Sequence, residues 1–393
     1  MAFTTQTRVN IIGGGIFGIT AALELRRRGY AVSVFDRDQI PHPQASSTDI
    51  TKMIRADYGA DTFYADLMHE AFQGWDAWNE LFPQPMYHET GFLLLTLAPL
   101  QAGSLEAESL RVLSERNYPI QRINRAYLQA RFPRWNAERY VDGYYNARGG
   151  WAESGNVVAQ LARMAQQAGV QIYEGEGFAE FIEENNKITG FITSFGQKHL
   201  AVYHIVAAGA WTPFIIPSLK DCITTVGQPV FHLLPKRPEL FHPAVFPGWS
   251  ADISRTGWYG FPALENGIVK VANHGIGIEK HPSEEQEIPE RYHLALQHFL
   301  ETSLPELADA PIVKTRICMY ADSWDGDFYI DYHPEKEGLM MATGGSGHGF
   351  KFAPVLGKII ADVMEKKPNP YAHRFRWRTR GERRVEAARS LDF

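Results

Sequence analysis

Two cysteines, Cys222 and Cys318, in 393 residues are too few for a disulfide framework, and a reducing compartment is expected. Apolar runs are short as well. The longest, from Gly91 to Leu100, falls far below the roughly 20 residues that span a bilayer, so no membrane segment is expected. Met1 to Asn10 has no basic segment leading into an apolar one, and Ser390-Leu391-Asp392-Phe393 is not a peroxisomal address. These absences predict a soluble, cytoplasmic protein. Positive charge is in deficit too, with 39 Lys and Arg against 45 Asp and Glu, a net −6. That balance argues against a nucleic-acid partner, whose binding depends on neutralising phosphates. The exception is local: seven arginines fall between Arg374 and Arg389, and they read as a solvated terminal segment. No internal repeat or low-complexity stretch is visible, and no metal site is expected.

What is present is ordinary for a globular chain, with 45% hydrophobic and 21% charged residues and length for two or three domains' worth of chain. The first fifty residues are more informative. Arg8-Val9-Asn10-Ile11-Ile12 opens directly onto Gly13-Gly14-Gly15-Ile16-Phe17-Gly18. Ile19 to Arg28 then places Ile19, Ala22, Leu23 and Leu25 on one helical face, Gly29 stops the helix, and Ala31 to Phe35 forms a second strand. In this strand–turn–helix–strand setting the glycines have separate tasks. Gly13 permits the tight turn, Gly15 lets backbone approach a pyrophosphate, and Gly18 allows close helix–strand packing. Asp36 ends the second strand, where a carboxylate accepts from ribose hydroxyls and repels a 2′-phosphate, so NAD or FAD is favoured over NADP. No second motif of this kind follows. After the proline-broken loop from Pro41 to Pro43, Ser46, Ser47, Thr48, Thr51, Lys52 and Arg55 offer small hydroxyls and two cations suited to a phosphate-bearing cofactor.

Further along, Glu70 to Leu81 is an amphipathic helix whose Phe72, Trp75 and Trp78 read as core. Gly91 to Thr96 is a buried strand, and Leu100 to Asn117 a polar helix. A helix capped by Ser154 or Asn156 runs to Gly169, and Val170 to Tyr173 returns as a strand, as in open α/β sheets. Ile188 to Phe195 reads as a hairpin arm and Tyr203 to Trp211 as a strand into a small-residue turn. Gln228 to Ile278 alternates as a separate, mainly antiparallel sheet. Near the end, a strand from Leu339 enters the turn Gly344 to Gly349 before a helix from about Pro354 to Val363. Such a turn presents backbone N–H groups to something anionic or electron-rich.

Five ordered motifs carry a resemblance: Thr51-Lys52-Met53-Ile54-Arg55, Trp258-Tyr259-Gly260-Phe261-Pro262, Lys270 with His274, Cys318-Met319-Tyr320, and Gly345-Ser346-Gly347-His348-Gly349-Phe350-Lys351. In these the chain resembles the monomeric sarcosine oxidase family of the D-amino-acid-oxidase-like flavoproteins, over nearly its whole length. The resemblance implies an α/β fold with a discontinuous Rossmann-type FAD-binding domain (1–85, 145–222 and 320–393). A mainly antiparallel substrate-binding sheet is inserted (86–144 and 223–319). It implies FAD held by Gly13, Gly15, Ile16, Phe17, Gly18, Asp36, Ser46, Ser47, Thr48, Thr51, Lys52, Gly345, Gly347, His348, Gly349 and Lys351, and bonded covalently through Cys318. Read alone, Cys318 is a buried strand cysteine; Cys222 matches no motif.

The family oxidises secondary amino acids to imines that hydrolyse, and reduces oxygen to hydrogen peroxide. The implied partners are an amino-acid or amine substrate and molecular oxygen, in a monomer or weak homo-oligomer. By resemblance, Arg55 and Lys351 bind the substrate carboxylate, Lys270 activates oxygen, and Tyr259, His274 and Tyr320 line the substrate cavity. By alternation with Val269 and Val271 alone, Lys270 is an exposed strand lysine. The chain departs from sarcosine oxidases in having Lys52 for an arginine and Thr48 for a histidine, which brings it nearer to fructosyl amino acid oxidases and saccharopine-like relatives. There Lys52 could meet a sugar hydroxyl or a second carboxylate, or only hold flavin phosphate. A dehydrogenase, a non-catalytic FAD subunit and a biosynthetic enzyme whose imine cyclises are the competing expectations.

Overall fold

The computed structural model describes residues 6–285 and 287–381. Arg8–Ile12 lies inside a six-stranded sheet, flanked in parallel by Ala31–Phe35 and Tyr203–Val206. Gln171–Tyr173 extends one side and Leu339–Thr343 the other, both parallel, and Tyr329–Tyr332 closes the latter edge antiparallel. Alternation along the strands divides two cores. Val9, Ile11, Val32, Val34, Met340 and Ala342 face the helices Ile16–Arg27, Ser154–Gln167 and Ala353–Met364. Ile12, Phe35, Val206, Leu339 and Met341 face a three-stranded antiparallel sheet, Phe178–Glu184, Lys187–Thr193 and Lys198–Leu200.

The second large sheet has nine strands and is antiparallel except where Gly248–Ala251 runs parallel to Phe92–Thr96. Its longest pairing joins Ile223–Leu233 to Ile312–Ser323. The helix Glu290–Ser303, which no sequence signal had marked, buries Tyr292, Leu296, Phe299 and Leu300 against Trp249, Trp258, Val269 and Val271. The six-stranded sheet draws its strands from residues 8–35, 171–206 and 329–343. The nine-stranded sheet draws on 92–146 and 223–323, so the chain passes between them repeatedly. Two expected boundaries, 144/145 and 319/320, fall inside the strands Asp142–Asn146 and Ile312–Ser323.

Helix ends also moved. The aromatic helix is Thr62–Leu81, longer than expected, because Tyr64, Leu67 and Met68 continue its buried face. Ser154 is the first helical residue after Glu153, and its hydroxyl donates to the Asp49 carbonyl at 2.8 Å instead of capping the helix. The polar helix is shorter, Leu105–Glu115, with Ser104 Oγ accepting from the Ala107 N–H at 3.2 Å. Among the described residues, no helix is long and apolar enough to cross a membrane.

Candidate active site

A cavity of about 550 Å³ lies at the C-terminal ends of the parallel strands, the position at which open α/β sheets take ligands. Gly13, Gly15, Ile16, Phe17 and Asp36 line it from the first strand–helix–strand unit, Ser46, Ser47 and Lys52 from the following loop, and Gly345, Gly347 and Gly349 from the late glycine turn. Gly13 has φ +107°, and a Cβ there would come within 2.5 Å of the Ala207 carbonyl oxygen. On Gly15 a Cβ would meet only Ser47 Oγ, at 3.3 Å, so the backbone there is open to a ligand. Gly18 stays out of the cavity and packs the helix onto Gly13 and Ile11.

Asp36 takes the Gly14 N–H at 2.8 Å and the Asp38 N–H at 3.1 Å. Burial pushes its carboxyl up, and the Gly14 N–H opposes that shift. Together these features fit a dinucleotide, with the helix start for its pyrophosphate and Asp36 for a ribose diol. FAD is one of the dinucleotides they suit.

A second cavity of about 270 Å³ shares Lys52, Tyr320, Gly347 and Phe350 with the first. Arg55, Tyr259, His274, His348 and Lys351 line it. His348, expected at the cofactor, and Lys351, expected both there and at the substrate carboxylate, therefore face this smaller space, because the turn after Gly347 carries them past the larger one. The Arg55 guanidinium and the Lys351 ammonium both lie over the Tyr58 ring, at 5.7 and 5.2 Å from its centre. Lys351 Nζ donates to the Tyr58 hydroxyl at 3.0 Å and to the His348 carbonyl at 3.3 Å. Asp57 lies beneath, bonded to Arg55 through its carbonyl and to the Tyr144 hydroxyl through its side chain. Burial pushes the Asp57 carboxyl up, while Arg55 pulls it down.

Lys270 lies behind these walls, 1% exposed. Val269–Asn273 is an inner strand covered on both sides, so alternation leaves Lys270 no solvent face and the exposed reading is corrected. Its Nζ meets Asp49 Oδ2 at 2.6 Å and the Thr51 carbonyl at 2.7 Å, 4.7 Å from the centre of the Phe261 ring. Burial lowers its pKa to about 8, against the pull of Asp49. His232 Nε2 lies 3.2 Å and Arg316 Nη1 3.9 Å from Asp49 Oδ1. Despite its burial, Lys270 and these partners hold its carboxyl well below the usual range.

Thr48 and Thr51, expected at the cofactor, line neither cavity. Their carbonyls accept from Arg316 and Lys270, so they serve the buried network. Cys318 is likewise covered, with Sγ 3.3 Å from Lys52 Nζ and 3.8 Å from the Ser46 carbonyl. Ser46 donates to the Met319 carbonyl, tying this loop to the Cys318 strand. Burial, followed by the neighbouring Cys318, pushes the Tyr259 hydroxyl up, although a hydrogen bond with Tyr320 opposes this.

Sequence reasoning missed Asp49 as the partner of Lys270, and also Tyr58, Asp57 and Arg374. Asp49 stood within the cited loop but had no local mark of its role. The arginine-rich end is corrected at two positions: Arg374 and Arg378 are partly buried in ion pairs with Asp61, Asp327 and Asp325, acids distant in sequence, whereas Arg376 and Arg380 are exposed as expected. Arg383, Arg384 and Arg389 lie outside the described residues.

The profile of the family described as FAD dependent oxidoreductase covers residues 8–363. The chain is 29% identical over 365 residues to N-methyl-L-tryptophan oxidase of Salmonella heidelberg, spanning 91% of this chain and 95% of that protein. It is 28% identical over 376 residues to peroxisomal sarcosine oxidase of Mus musculus, spanning 92% and 93%. Among solved structures it superposes on the deglycating fructosamine oxidase of Aspergillus fumigatus (Amadoriase II, in complex with FSA). The TM-score is 0.86 and the identity 26%, covering 99% of this chain and 94% of the other. Fructosyl peptide oxidase from E. terrenum, at 22% identity and TM-score 0.85, shares the fold. With that profile spanning both sheets and a cavity shaped for a dinucleotide, the chain belongs to the FAD-dependent oxidoreductase family.

Proposed function

We propose that the protein is an FAD-dependent oxidase of a secondary, N-substituted amino acid, with oxygen as electron acceptor. The observation that carries this reading is the junction of the two cavities, which places Arg55 and Lys351 in a side chamber opening onto the cofactor space. Two cations over one aromatic ring suit a carboxylate. Holding that carboxylate orients the rest of the substrate toward Tyr259, His274 and Tyr320. His274 is the group to take a proton from the substrate ammonium, since only the neutral amine can give up hydride. FAD, when bound, supplies the two-electron chemistry, accepting hydride from the carbon next to nitrogen and later reducing oxygen to hydrogen peroxide. Lys270 holds a fixed positive charge in a dry site, which stabilises negative charge developing on oxygen, and Asp49 keeps it protonated. The imine leaves and hydrolyses in water to an amine and a carbonyl compound.

Lys52, at the junction, faces the part of the substrate on nitrogen. A fructosyl amino acid is the second reading, supported by the likeness to Amadoriase II. Cys318 is the thiol we assign to a covalent flavin bond. Acid precipitation then leaves yellow flavin in the pellet, and Cys318→Ser moves it to the supernatant; a colourless wild-type pellet defeats the assignment.

The test of function is anaerobic bleaching of bound flavin by sarcosine, pipecolate, N-methyl-L-tryptophan, fructosyl amino acids and saccharopine. Bleaching by the small amines with peroxide formed in air is the expected result. Bleaching by fructosyl compounds alone selects the second reading, and a flavin that no amine bleaches overturns both.

A further inference from the structure

Two arginines near the C-terminus hold the second cavity without entering the chemistry above: Arg374 lines it, and Arg378 bonds to its lining residue Asp325. Arg374 forks Asp61 at 2.8 and 2.5 Å and gives its Nε–H to Asp327 Oδ1 at 2.8 Å, where the Tyr64 hydroxyl also donates at 3.0 Å. Arg378 forks Asp325 at 2.6 and 2.5 Å, donates to the carbonyls of Asp327 and Phe328 at 2.9 and 3.0 Å, and lies 3.9 Å over the Tyr329 ring. Asp325, Gly326 and Asp327 form part of the cavity wall. Two planar guanidinium groups therefore fix that wall, Arg374 from within the lining and Arg378 from outside it, each in a geometry that sets both distance and plane.

The wall continues to the substrate cation. The Gly326 carbonyl lies 2.9 Å from His348 Nε2, and a carbonyl can only accept, so that nitrogen carries the hydrogen. In the neutral ring Nδ1 is then the acceptor, and it takes the Tyr58 hydroxyl at 3.0 Å. The Tyr58 oxygen in turn accepts from Lys351 Nζ at 3.0 Å. The tautomer follows from these partners, and with it every bond points one way, from Lys351 through Tyr58 and His348 to Gly326.

We infer that Arg374 and Arg378 are positioning residues for the substrate carboxylate, acting through the Asp325–Asp327 wall and the His348–Tyr58 chain on Lys351. The inference rests on Lys351 as a carboxylate ligand. A cation already held in place loses less freedom when its partner arrives, so the strap acts on binding and leaves the electron-transfer rate alone.

The test uses the full-length, flavin-loaded protein and Arg378→Lys, which keeps the charge but loses the fork. Acetate, titrated against flavin absorbance, reads the carboxylate site without turnover, and anaerobic reduction by sarcosine and N-methyl-L-tryptophan reads half-saturation separately from limiting rate. Arg378→Lys is expected to weaken acetate and raise half-saturation about tenfold, with the limiting rate within about twofold. Combining it with His348→Gln should weaken acetate no further than the weaker single variant, a coupling that general loosening of the fold does not produce. If Arg378→Lys does not accumulate, Tyr64→Phe, which deletes one hydroxyl behind Asp327, gives the same readout at smaller size.

Unchanged acetate affinity, or multiplicative effects in the double variant, overturns the inference. A wild type that acetate does not perturb overturns it together with the carboxylate site. A wild type that binds acetate but is bleached by no amine ends the oxidase reading alone, and the acetate comparison still decides the strap.

Discussion

The two cavities meet at Lys52 and Tyr320 but are built from different materials. The larger is walled mainly by backbone and small residues at strand ends, Gly13 and Gly15 at one end and Gly345 and Gly347 at another. The smaller is walled by charged and aromatic side chains from distant segments, Arg55 and Tyr58 beside Lys351, and Asp327 beside Arg374. A ligand gripped through the backbone needs residues without side chains in a fixed local spacing. One gripped through side chains needs only that the right groups converge. Changes in the first cavity should therefore act on cofactor retention, and changes in the second on substrate affinity.

Gly13→Val should have the largest effect, because it adds a branched side chain at a left-handed φ and against the Ala207 carbonyl. Strain and clash together cost several kcal/mol, roughly the whole margin of local stability. Loss of bound flavin, read as visible absorbance per protein, is expected; full flavin content would break the comparison. Lys270→Met should slow reoxidation by about 10²–10³-fold, the scale for removing one preorganised charge. Reduction by substrate should change little, and stopped-flow mixing with oxygen separates the two. The ammonium carries the charge only while protonated, so reoxidation should fall as pH rises through about 8. Asp49 raises the Lys270 pKa, so Asp49→Asn should move that fall to lower pH. A profile that stays in place would remove Asp49 from the account.

Arg55→Met belongs to the smaller cavity. Half-saturation by substrate should rise about 10- to 100-fold, roughly 1.5–3 kcal/mol for one charged hydrogen-bonded contact. Flavin content should remain that of the wild type, and a colourless variant would blur the line between the cavities. Lys52→Met, at their junction, should have the smallest effect. It is expected to alter the preference between sarcosine and a fructosyl amino acid by less than about tenfold, roughly 1 kcal/mol. Competition between the two substrates in a peroxide assay measures it.

The legible parts of the sequence follow the same division. Gly13 to Gly18 and Asp36 could be placed in a strand–turn–helix–strand unit because each residue's task depends on near neighbours, and the structure has them along the larger cavity, with Gly18 behind it. Lys270 was misread by alternation, since a strand buried on both faces has no polar side to betray. Arg374 and Arg378 read as solvated because the acids that hold them, Asp61, Asp325 and Asp327, come from other parts of the chain. Helix Glu290–Ser303 went unmarked for a related reason: its apolar face is defined by the sheet it covers.

From its order of residues alone this chain determined a dinucleotide cradle, a second mainly antiparallel sheet, and the ordered motifs of a flavin-dependent oxidoreductase. These depend on local backbone geometry and on periodicity, both of which are written consecutively. Only the tertiary structure decided that His348 faces the side chamber, that Asp49 partners Lys270, and that Arg374 and Arg378 brace a cavity wall. Buried charges recover their desolvation cost only with partners in good hydrogen-bonding geometry, and which groups come together is set by how the sheets pack.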